Sequence, residues 1–249
     1  MSDSFVFLTP APLELPAGRV AADLEALRSG IALVQPEALF HHVTRIPVRF
    51  PHARDLPEND FARWVGDALQ LPEISERLAF AGSVPSGSPE DLRATLLSVL
   101  DRVSLRDRKR EAAEGASFHF VAVRTVLAPL GIEANEPADV IELWPWIDLG
   151  SAFYHLVEAP AFGIQEQALI PWLRDHGGKG LADSAEQVVG TGRPLAPLLR
   201  EIGARWRRSQ IGRRLIERSE TPEAERRRES RAAMARLVGR LRGQGNDTR

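Results

Sequence analysis

The sequence predicts a mainly α-helical protein, α+β at most, made of two pseudo-symmetric helical repeats and a C-terminal helical tail. A hexapeptide indicates the duplication, because the pattern of residues 38–43 returns at residues 152–157. Each copy begins with one short β-prone run that is rich in Phe and Val. Most of the remaining chain shows the apolar spacing of amphipathic helices, interrupted by Pro and Gly.

Three further segments recur in the same order, and this makes the duplication a strong inference. Residues 5–7 correspond to 118–120, residues 61–67 to 169–175, and the apolar series 92, 96, 99, 103 to 195, 199, 202, 206. Copies of this length are typical of paired domains, since the units of solenoids are shorter. We therefore predict repeat one at residues 1–112, repeat two at 113–208, and a basic helical tail, partly disordered, at 209–249.

The composition is that of a globular protein with an uneven charge distribution. Hydrophobic residues make up 43% of the 249 positions and charged residues 27%. No cysteine is present, which excludes disulfides and cysteine chemistry. No apolar run approaches the roughly 20 residues of a membrane span, and the N-terminus lacks signal-peptide features. We therefore expect a cytoplasmic protein with no membrane partner. Residues 200–249 carry 15 basic and 7 acidic residues, whereas residues 1–199 carry 17 basic and 27 acidic ones.

Repeat one is predicted to be a short strand followed by helices. Residues 5–8 form the strand, which three prolines are expected to stop. A helix covering Pro36 and His41 should end before Pro47. Asn59 or Asp60 should cap the helix that carries Trp64. The remaining predicted elements are a helix at 21–33, a loop at 48–57, a helix from Pro72, and a Ser88-capped helix reaching about Arg106.

Repeat two is predicted to follow the same order. Residues 118–126 form its strand, and residues 135–146 its first helix. The helix that carries His155 should end at Pro160, and further helices are expected at 165–175, 181–189 and 194–208. Because a lone strand would leave its backbone groups unsatisfied, we expect the two strands to pair with each other.

The candidate catalytic residues are His41, Asp60 and His155. His41 and His155 are aligned by the recurring hexapeptide, so they would approach each other if the repeats pack about a pseudo-twofold axis. Asp60 could act as a general acid or base, or join the histidines as a metal ligand. The alternative is structural: buried histidines hydrogen-bonded to the backbone, and Asp60 at a helix start. No metal-ligand spacing is present, and we predict neither metal nor cofactor.

A second candidate site is a ligand or partner groove that would include Trp144, Trp146 and Tyr154. Trp64 and Trp172, which recur in both copies, are instead expected to be core anchors. The sequence holds no nucleophile elbow, dinucleotide-binding loop or phosphate loop. The run from Gly177 to Gly180 lacks the spacing of a phosphate loop and is interpreted as a helix-terminating turn.

The tail carries one narrow apolar stripe, formed by Met234, Leu237, Val238 and Leu241. An isolated helix of this length is marginal in water, so we expect it to form by docking on a protein partner or on a second copy. Nucleic-acid binding is disfavoured, because acidic residues interrupt the arginines and no aromatic residue follows Trp206.

The duplicated pattern resembles an uncharacterised family of prokaryotic two-copy proteins, known only as a domain of unknown function. The matching residues are Phe5, Phe7, Phe40, His41, Asn59, Asp60, Phe61 and Trp64, then Phe118, Phe120, Tyr154, His155 and Trp172. The resemblance covers residues 5–206 and brings no activity with it. The second copy departs from the pattern by lacking the Asn-Asp pair. Together these observations favour a non-enzymatic interaction or scaffold protein. The alternative is an enzyme, or a binder of a small ligand or metal, with His41, His155 and Asp60 near the repeat interface.

Overall fold

A computed structural model describes residues 4–50, 59–83, 87–190 and 201–209. The described chain is mainly helical and contains one two-stranded sheet, so the predicted class of mainly α with α+β character is confirmed. By backbone proximity, residues 1–203 form one compact unit and residues 204–249 another. The division into repeats at 112/113 stays a prediction. In the second unit, the described residues 204–209 are helical.

The sheet is a long antiparallel ribbon of β1 (Phe5–Ala21) and β2 (Phe118–Ala134), each 17 residues long. The predicted pairing of the two strands is confirmed. Both strands are longer than predicted, and β1 continues through Pro10, Pro12 and Pro16, which were expected to stop it.

The prolines are tolerated because they occupy positions whose backbone nitrogen faces away from β2. Leu8 donates its N–H outside the ribbon, to His155. Pro10, Pro12 and Pro16 follow Leu8 at even spacing, within a stretch of unbroken register. Backbone direction alternates along a strand, so their nitrogens also point outward, where no ladder hydrogen bond is lost.

The strand register is symmetric about the Pro12–Thr125 pair. We call the interval in sequence number from Phe5 to Phe118, the two strand starts, the strand offset; the same interval separates Pro12 from Thr125. Adding the strand offset to the number of a β1 residue, and subtracting it from the number of its β2 partner, gives another observed pair. Phe5 with Ala134, for example, corresponds to Phe118 with Ala21. The two register irregularities also correspond, one between Val6 and Leu8 and the other between Pro16 and Val20.

A first group of helices packs between the two strands in the sequence. Asn59 caps α4 through its side chain and Ser88 caps α6, as predicted from their positions. Residues 48 and 49, predicted as loop, close a short helix instead. The helices are α1 (Leu24–Leu33), α2 (Pro36–Val43), α3 (Ile46–Arg49), α4 (Asp60–Asp67), α5 (Pro72–Ser83), α6 (Pro89–Asp101) and α7 (Leu105–Arg108).

A second group of helices follows β2. The helix that carries His155 does not end at Pro160, as predicted, but runs to Ala161. A π-helical stretch, Tyr154–Glu158, precedes the proline. The wider turn accommodates a residue that has no N–H to donate. The α-helices are α8 (Pro137–Leu143), α9 (Leu149–Phe153), α10 (Ala159–Ala161), α11 (Leu169–Asp175) and α12 (Lys179–Val189), with 3-10 turns at Trp144–Trp146 and Gln165–Gln167.

Each strand starts in a core formed by the other group of helices. Phe118 and Phe120 belong to the core of α1, α2, α4, α5 and α6. Phe5 and Phe7 pack against His155, and Phe5 also contacts Trp172 of α11. Burial of each phenylalanine contributes about 1.5–3 kcal/mol, so the two halves of the chain are interlocked through their strands.

The start of β2 approaches α1 so closely that only glycine fits at one position. A Cβ atom added at Gly30 would overlap Cζ of the Phe120 ring. The glycine that weakens α1 in the sequence therefore makes room for an aromatic ring of the core. Among the described helices, none combines the length and apolar character needed to cross a membrane.

Candidate functional site

Asp60 lies at the centre of a buried ionic network at the start of α4. Its carboxylate accepts hydrogen bonds from Nδ1 of His42 at 2.9 Å, from Arg49 at 2.5 Å and from Arg63 at 2.8 Å. Only 5% of Asp60 is exposed. Burial alone would raise the pKa of Asp60, but the hydrogen bonds from His42 and Arg49 outweigh it and hold that pKa below its ordinary value. These contacts give the carboxylate a structural role.

Asn59 fixes the position of Asp60 by capping α4. Its side-chain oxygen accepts from the N–H of Ala62 at 2.8 Å, and its side-chain nitrogen donates to the carbonyl of Leu78 at 2.8 Å. The cap predicted from the sequence is therefore Asn59. Asp60 occupies the first helical position, where the positive end of the helix favours a carboxylate.

His42 connects this network to the ribbon. Its Nε2 accepts the N–H of Val121 at 3.1 Å, so that nitrogen carries no proton. The proton lies on Nδ1, which donates to Asp60. The imidazole is thus neutral and has a partner on each nitrogen.

His155 makes the same two kinds of bond in the other half of the chain. Its Nε2 accepts the N–H of Leu8 at 2.8 Å, and its Nδ1 donates to the carbonyl of Gln167 at 2.7 Å. Burial lowers the pKa of His155, against the effect of these backbone hydrogen bonds. The strand offset separates Leu8 from Val121 and also His42 from His155. The hexapeptide alignment paired His155 with His41, but the bonding role of His155 is matched by His42.

His41 is buried and, among the described residues, has no hydrogen-bond partner. Its ring is 1% exposed, and Nε2 lies 3.5 Å from a carboxylate oxygen of Glu14 on β1. Burial, followed by the charge of Arg49, lowers the pKa of His41 to about 4. The ring is therefore neutral at neutral pH. His41, Asp60 and His155 have different partners, so the described contacts do not bring the three candidates together.

A buried ion pair that the sequence analysis missed joins the two groups of helices. Arg45, after α2, lies 3.2 Å from Glu158 of the π-helical stretch. Arg45 also donates to the hydroxyl of Thr125 at 3.3 Å. Burial raises the pKa of Glu158, and the charge of Arg45 opposes that rise. Arg45 and Glu158 are separated by the strand offset and have opposite charge, which is the signal that could have revealed them.

The three residues of the expected aromatic groove differ in exposure. Trp144 and Tyr154 are buried, whereas Trp146 is 75% exposed. The Tyr154 hydroxyl donates to the side chain of Gln167, and burial raises the pKa of Tyr154 to about 12. Residues Trp144–Trp146 form a tight 3-10 turn, and the two tryptophan side chains point in different directions from it. Trp64 and Trp172 are buried, as expected of core anchors.

Opposite faces of the ribbon have different surroundings. Thr125 contacts Arg45 and Glu14 contacts His41, so their face lies toward the helices. Side chains alternate along a strand, which places the neighbouring positions on the opposite face. Leu13, Leu15 and Val126 are 51%, 48% and 56% exposed. We call this surface the outer face; it comprises Ala11, Leu13, Leu15, Ala122, Arg124 and Val126.

A cavity of about 350 Å³ lies where β1 leaves register between Pro16 and Val20. It is bounded by residues 14–16 and 18–20 of β1 and by residues 119–121 of β2. In the part of the chain that the structure describes, no cluster of three His, Asp or Glu side chains could hold a metal ion. The partner-docking residues Met234, Leu237, Val238 and Leu241 lie outside the described residues.

Fold and contacts together define a mainly α-helical protein whose two groups of helices are joined by one long ribbon. The chain belongs to the family of unknown function DUF5752, whose model matches residues 2–198. The resemblance recognised from the sequence is thereby confirmed. The solved structure of OrfY from Thermoproteus tenax is similar, with 28% identity and a TM-score of 0.68 over 82% of this chain and 94% of that chain. No curated protein matches the sequence.

Proposed function

We propose that this protein is a non-enzymatic interaction protein of the cytoplasm, in which two interlocked repeats present the outer face of the ribbon to a protein partner. The observation that carries the proposal is the exposure of Leu13, Leu15 and Val126, each about half accessible, on a face with one charged residue, Arg124. Apolar surfaces bordered by polar residues are typical of protein interaction sites. The absence of cysteine is consistent with a cytoplasmic setting.

The proposal of two repeats rests on contacts between residues that the strand offset separates. Phe40 packs on Phe153 with ring centroids 6.0 Å apart, and Arg45 pairs with Glu158. The members of each pair are one strand offset apart, as are Pro12 and Thr125 in the ribbon. A residue in contact with its own counterpart lies on the axis of a pseudo-twofold arrangement. The three pairs therefore support one such axis.

The non-enzymatic part of the proposal rests on how the candidate catalytic groups are used. Asp60 accepts three hydrogen bonds from protein groups, and both nitrogens of His155 are engaged. A general acid or base must instead reach a substrate atom. An enzyme that uses His41, His155 and Asp60 in one site would require contacts that differ from those described.

The test replaces two leucines of the outer face by serine. Leu13→Ser with Leu15→Ser removes the apolar surface at side chains that are already half exposed, so the fold should persist. The control is Leu33→Ser with Leu105→Ser, since these leucines are 64% and 74% exposed elsewhere. Sedimentation velocity over a concentration series measures self-association, and co-purification from native cells measures other partners. Thermal unfolding of each variant checks that its fold is intact.

The proposal expects the unmodified chain to associate with itself or with a co-purified protein. It also expects the outer-face variant to lose that association and the control to retain it. The proposal is overturned if the unmodified chain associates with nothing. It is equally overturned if the outer-face variant keeps the association.

A further inference from the structure

We propose that the cavity at the β1 register shift is a binding site for a small zwitterion, a molecule with an ammonium group and an acidic group on a short apolar body. The inference goes beyond the docking role of the outer face. It rests on the correspondence, through the strand offset, between the two ends of the ribbon.

The cavity is produced by the extra residues in β1. Pro16 pairs with Val121 and Val20 pairs with His119, so β1 advances four residues while β2 advances two. Gly18, in the looped-out segment, has φ +67°, a conformation that favours glycine. Such irregularities redirect side chains and are frequent beside functional sites.

The corresponding irregularity at the other end of the ribbon provides an internal comparison. There Gly131 has φ +75° and follows Gly18 by the strand offset. A glycine with positive φ therefore occurs at both irregularities. The side chains differ, because the first site has Glu14, Arg19 and His119, whereas the corresponding residues of the second are Leu127, Ile132 and Val6.

The comparison of the two irregularities distinguishes residues that the bend requires from residues that only the first site contains. The second irregularity forms with apolar residues at these three positions, so the bend does not require ionisable groups there. Three ionisable groups at a cavity of about 350 Å³ therefore need another explanation, and ligand binding supplies one.

His41 gives a second, independent distinction between the two ends. It is buried with both ring nitrogens lacking hydrogen-bond partners among the described residues, and it lies 3.5 Å from Glu14. The residue that follows it by the strand offset is Tyr154, whose hydroxyl is hydrogen-bonded to Gln167. The unpartnered ring thus lies against the carboxylate that borders the cavity. Because that ring is neutral, it leaves the negative charge of Glu14 for a ligand.

The ligand class follows from the lining. Glu14 offers a carboxylate to an ammonium group, and Arg19 offers a guanidinium to an acidic group. Val20, Phe120 and Val121 also line the cavity and contribute its apolar surface. A cavity of this size holds a molecule of about the size of an amino acid, with an apolar body against that surface.

The experiment follows the amide resonances of the full-length chain labelled with nitrogen-15. The probes are L-leucine, 4-aminobutyrate and 6-aminohexanoate, which separate the ammonium and carboxylate groups by increasing distances. Leucine amide and N-acetyl-leucine each retain one charge only. The amides of Gly18, Arg19 and Val20 should shift on addition of at least one zwitterion, with a Kd of about 10 mM or below. The single-charge compounds should bind at least about tenfold more weakly.

The binding variant combines Glu14→Leu, Arg19→Ile and His119→Val, the residues found at the other end of the ribbon. The control combines Arg124→Ala and Glu133→Val, which likewise replace charged ribbon residues by their counterparts at 11 and 20.

Loss of the shifts in the binding variant and their retention in the control supports the site. The proposal is overturned if no zwitterion shifts these amides. It is also overturned if the binding variant, with the rest of its spectrum unchanged, binds as well as the unmodified chain. Either failure leaves the docking role of the outer face untouched, since that role is measured by association.

Discussion

Replacing Asp60 by Asn is expected to destabilise the protein because Asp60 supplies the carboxylate that the three donors of its network share. Asn keeps one oxygen acceptor but places an NH₂ group either at the Oδ2 position, facing the N–H groups of His42 and Arg49, or at the Oδ1 position, facing Arg63. Removing one partner from a buried ionic contact costs about 3–5 kcal/mol. The Arg49 and Arg63 side chains are 26% and 44% exposed, so water can partly replace the lost contacts. We therefore expect a loss near the lower limit, about 3 kcal/mol.

Urea unfolding followed by circular dichroism measures this loss for Asp60→Asn. A midpoint lower by about 1 M is expected, with an unchanged dependence of the unfolding free energy on urea. The control is Asp67→Asn, an exposed carboxylate at the end of the same helix, which should change stability by less than about 0.5 kcal/mol. If Asp60→Asn is as stable as the unmodified chain, the structural role assigned to Asp60 is wrong.

The same variant has a defined pH dependence. The pKa of Asp60 is lower in the folded protein than its ordinary value of 3.8. Its stabilisation is therefore present above pH 3.8 and is lost as the pH falls through the folded pKa. The stability difference between the unmodified chain and Asp60→Asn should accordingly shrink below pH 3.8. A constant difference down to the acid unfolding transition would contradict the ionic network.

Three further predictions concern His41, Gly30 and the tail. The pKa of His41 falls from 6.5 to about 4 on folding, so the unfolded chain binds the proton first as the pH falls. The unmodified chain should therefore lose about 3 kcal/mol of stability between pH 6.5 and 4, and His41→Leu should remove that loss. Urea unfolding at both pH values measures it, and an equal change of unfolding free energy with pH in both proteins would refute it. Gly30→Ala should lower stability by about 1–3 kcal/mol through contact with Phe120, whereas Gly180→Ala, with open space around it, should not; thermal unfolding of the pair decides, and equal behaviour would contradict the packing. Deleting residues 220–249 should leave the fold intact and abolish a salt-sensitive association in sedimentation experiments; a truncated chain that unfolds, or that keeps its partner at every salt concentration, would refute this.

Local signals in the sequence were sufficient to predict the starts of α4 and α6. Asn59 and Ser88 precede apolar helical patterns, and their side chains accept from the backbone as caps do. The strands were harder, because proline is a reliable stop signal only where the N–H is needed for pairing. Pro10, Pro12 and Pro16 share the outward-facing positions of β1, a regularity that becomes meaningful only once β2 is known to be the partner.

Predicting the contacts of the site required an alignment of the two copies, and the sequence left that alignment ambiguous by one position. The hexapeptide match paired His41 with His155. The strand offset, taken from the strand starts, instead pairs His42 with His155 and Arg45 with Glu158. A π-helical stretch within the second motif also changes the direction of side chains relative to a regular helix. Periodicity alone therefore could not identify which histidine faces the ribbon.

The central structural claim is that the two halves interlock through a backbone N–H and a neutral histidine on each side. Scalar couplings across N–H···N hydrogen bonds, measured by NMR on the full-length chain labelled with nitrogen-15, detect such bonds directly. The account predicts one coupling between the Leu8 amide and Nε2 of His155, and a second between the Val121 amide and Nε2 of His42. Finding neither coupling, or finding the Val121 amide coupled to His41 instead, would contradict it.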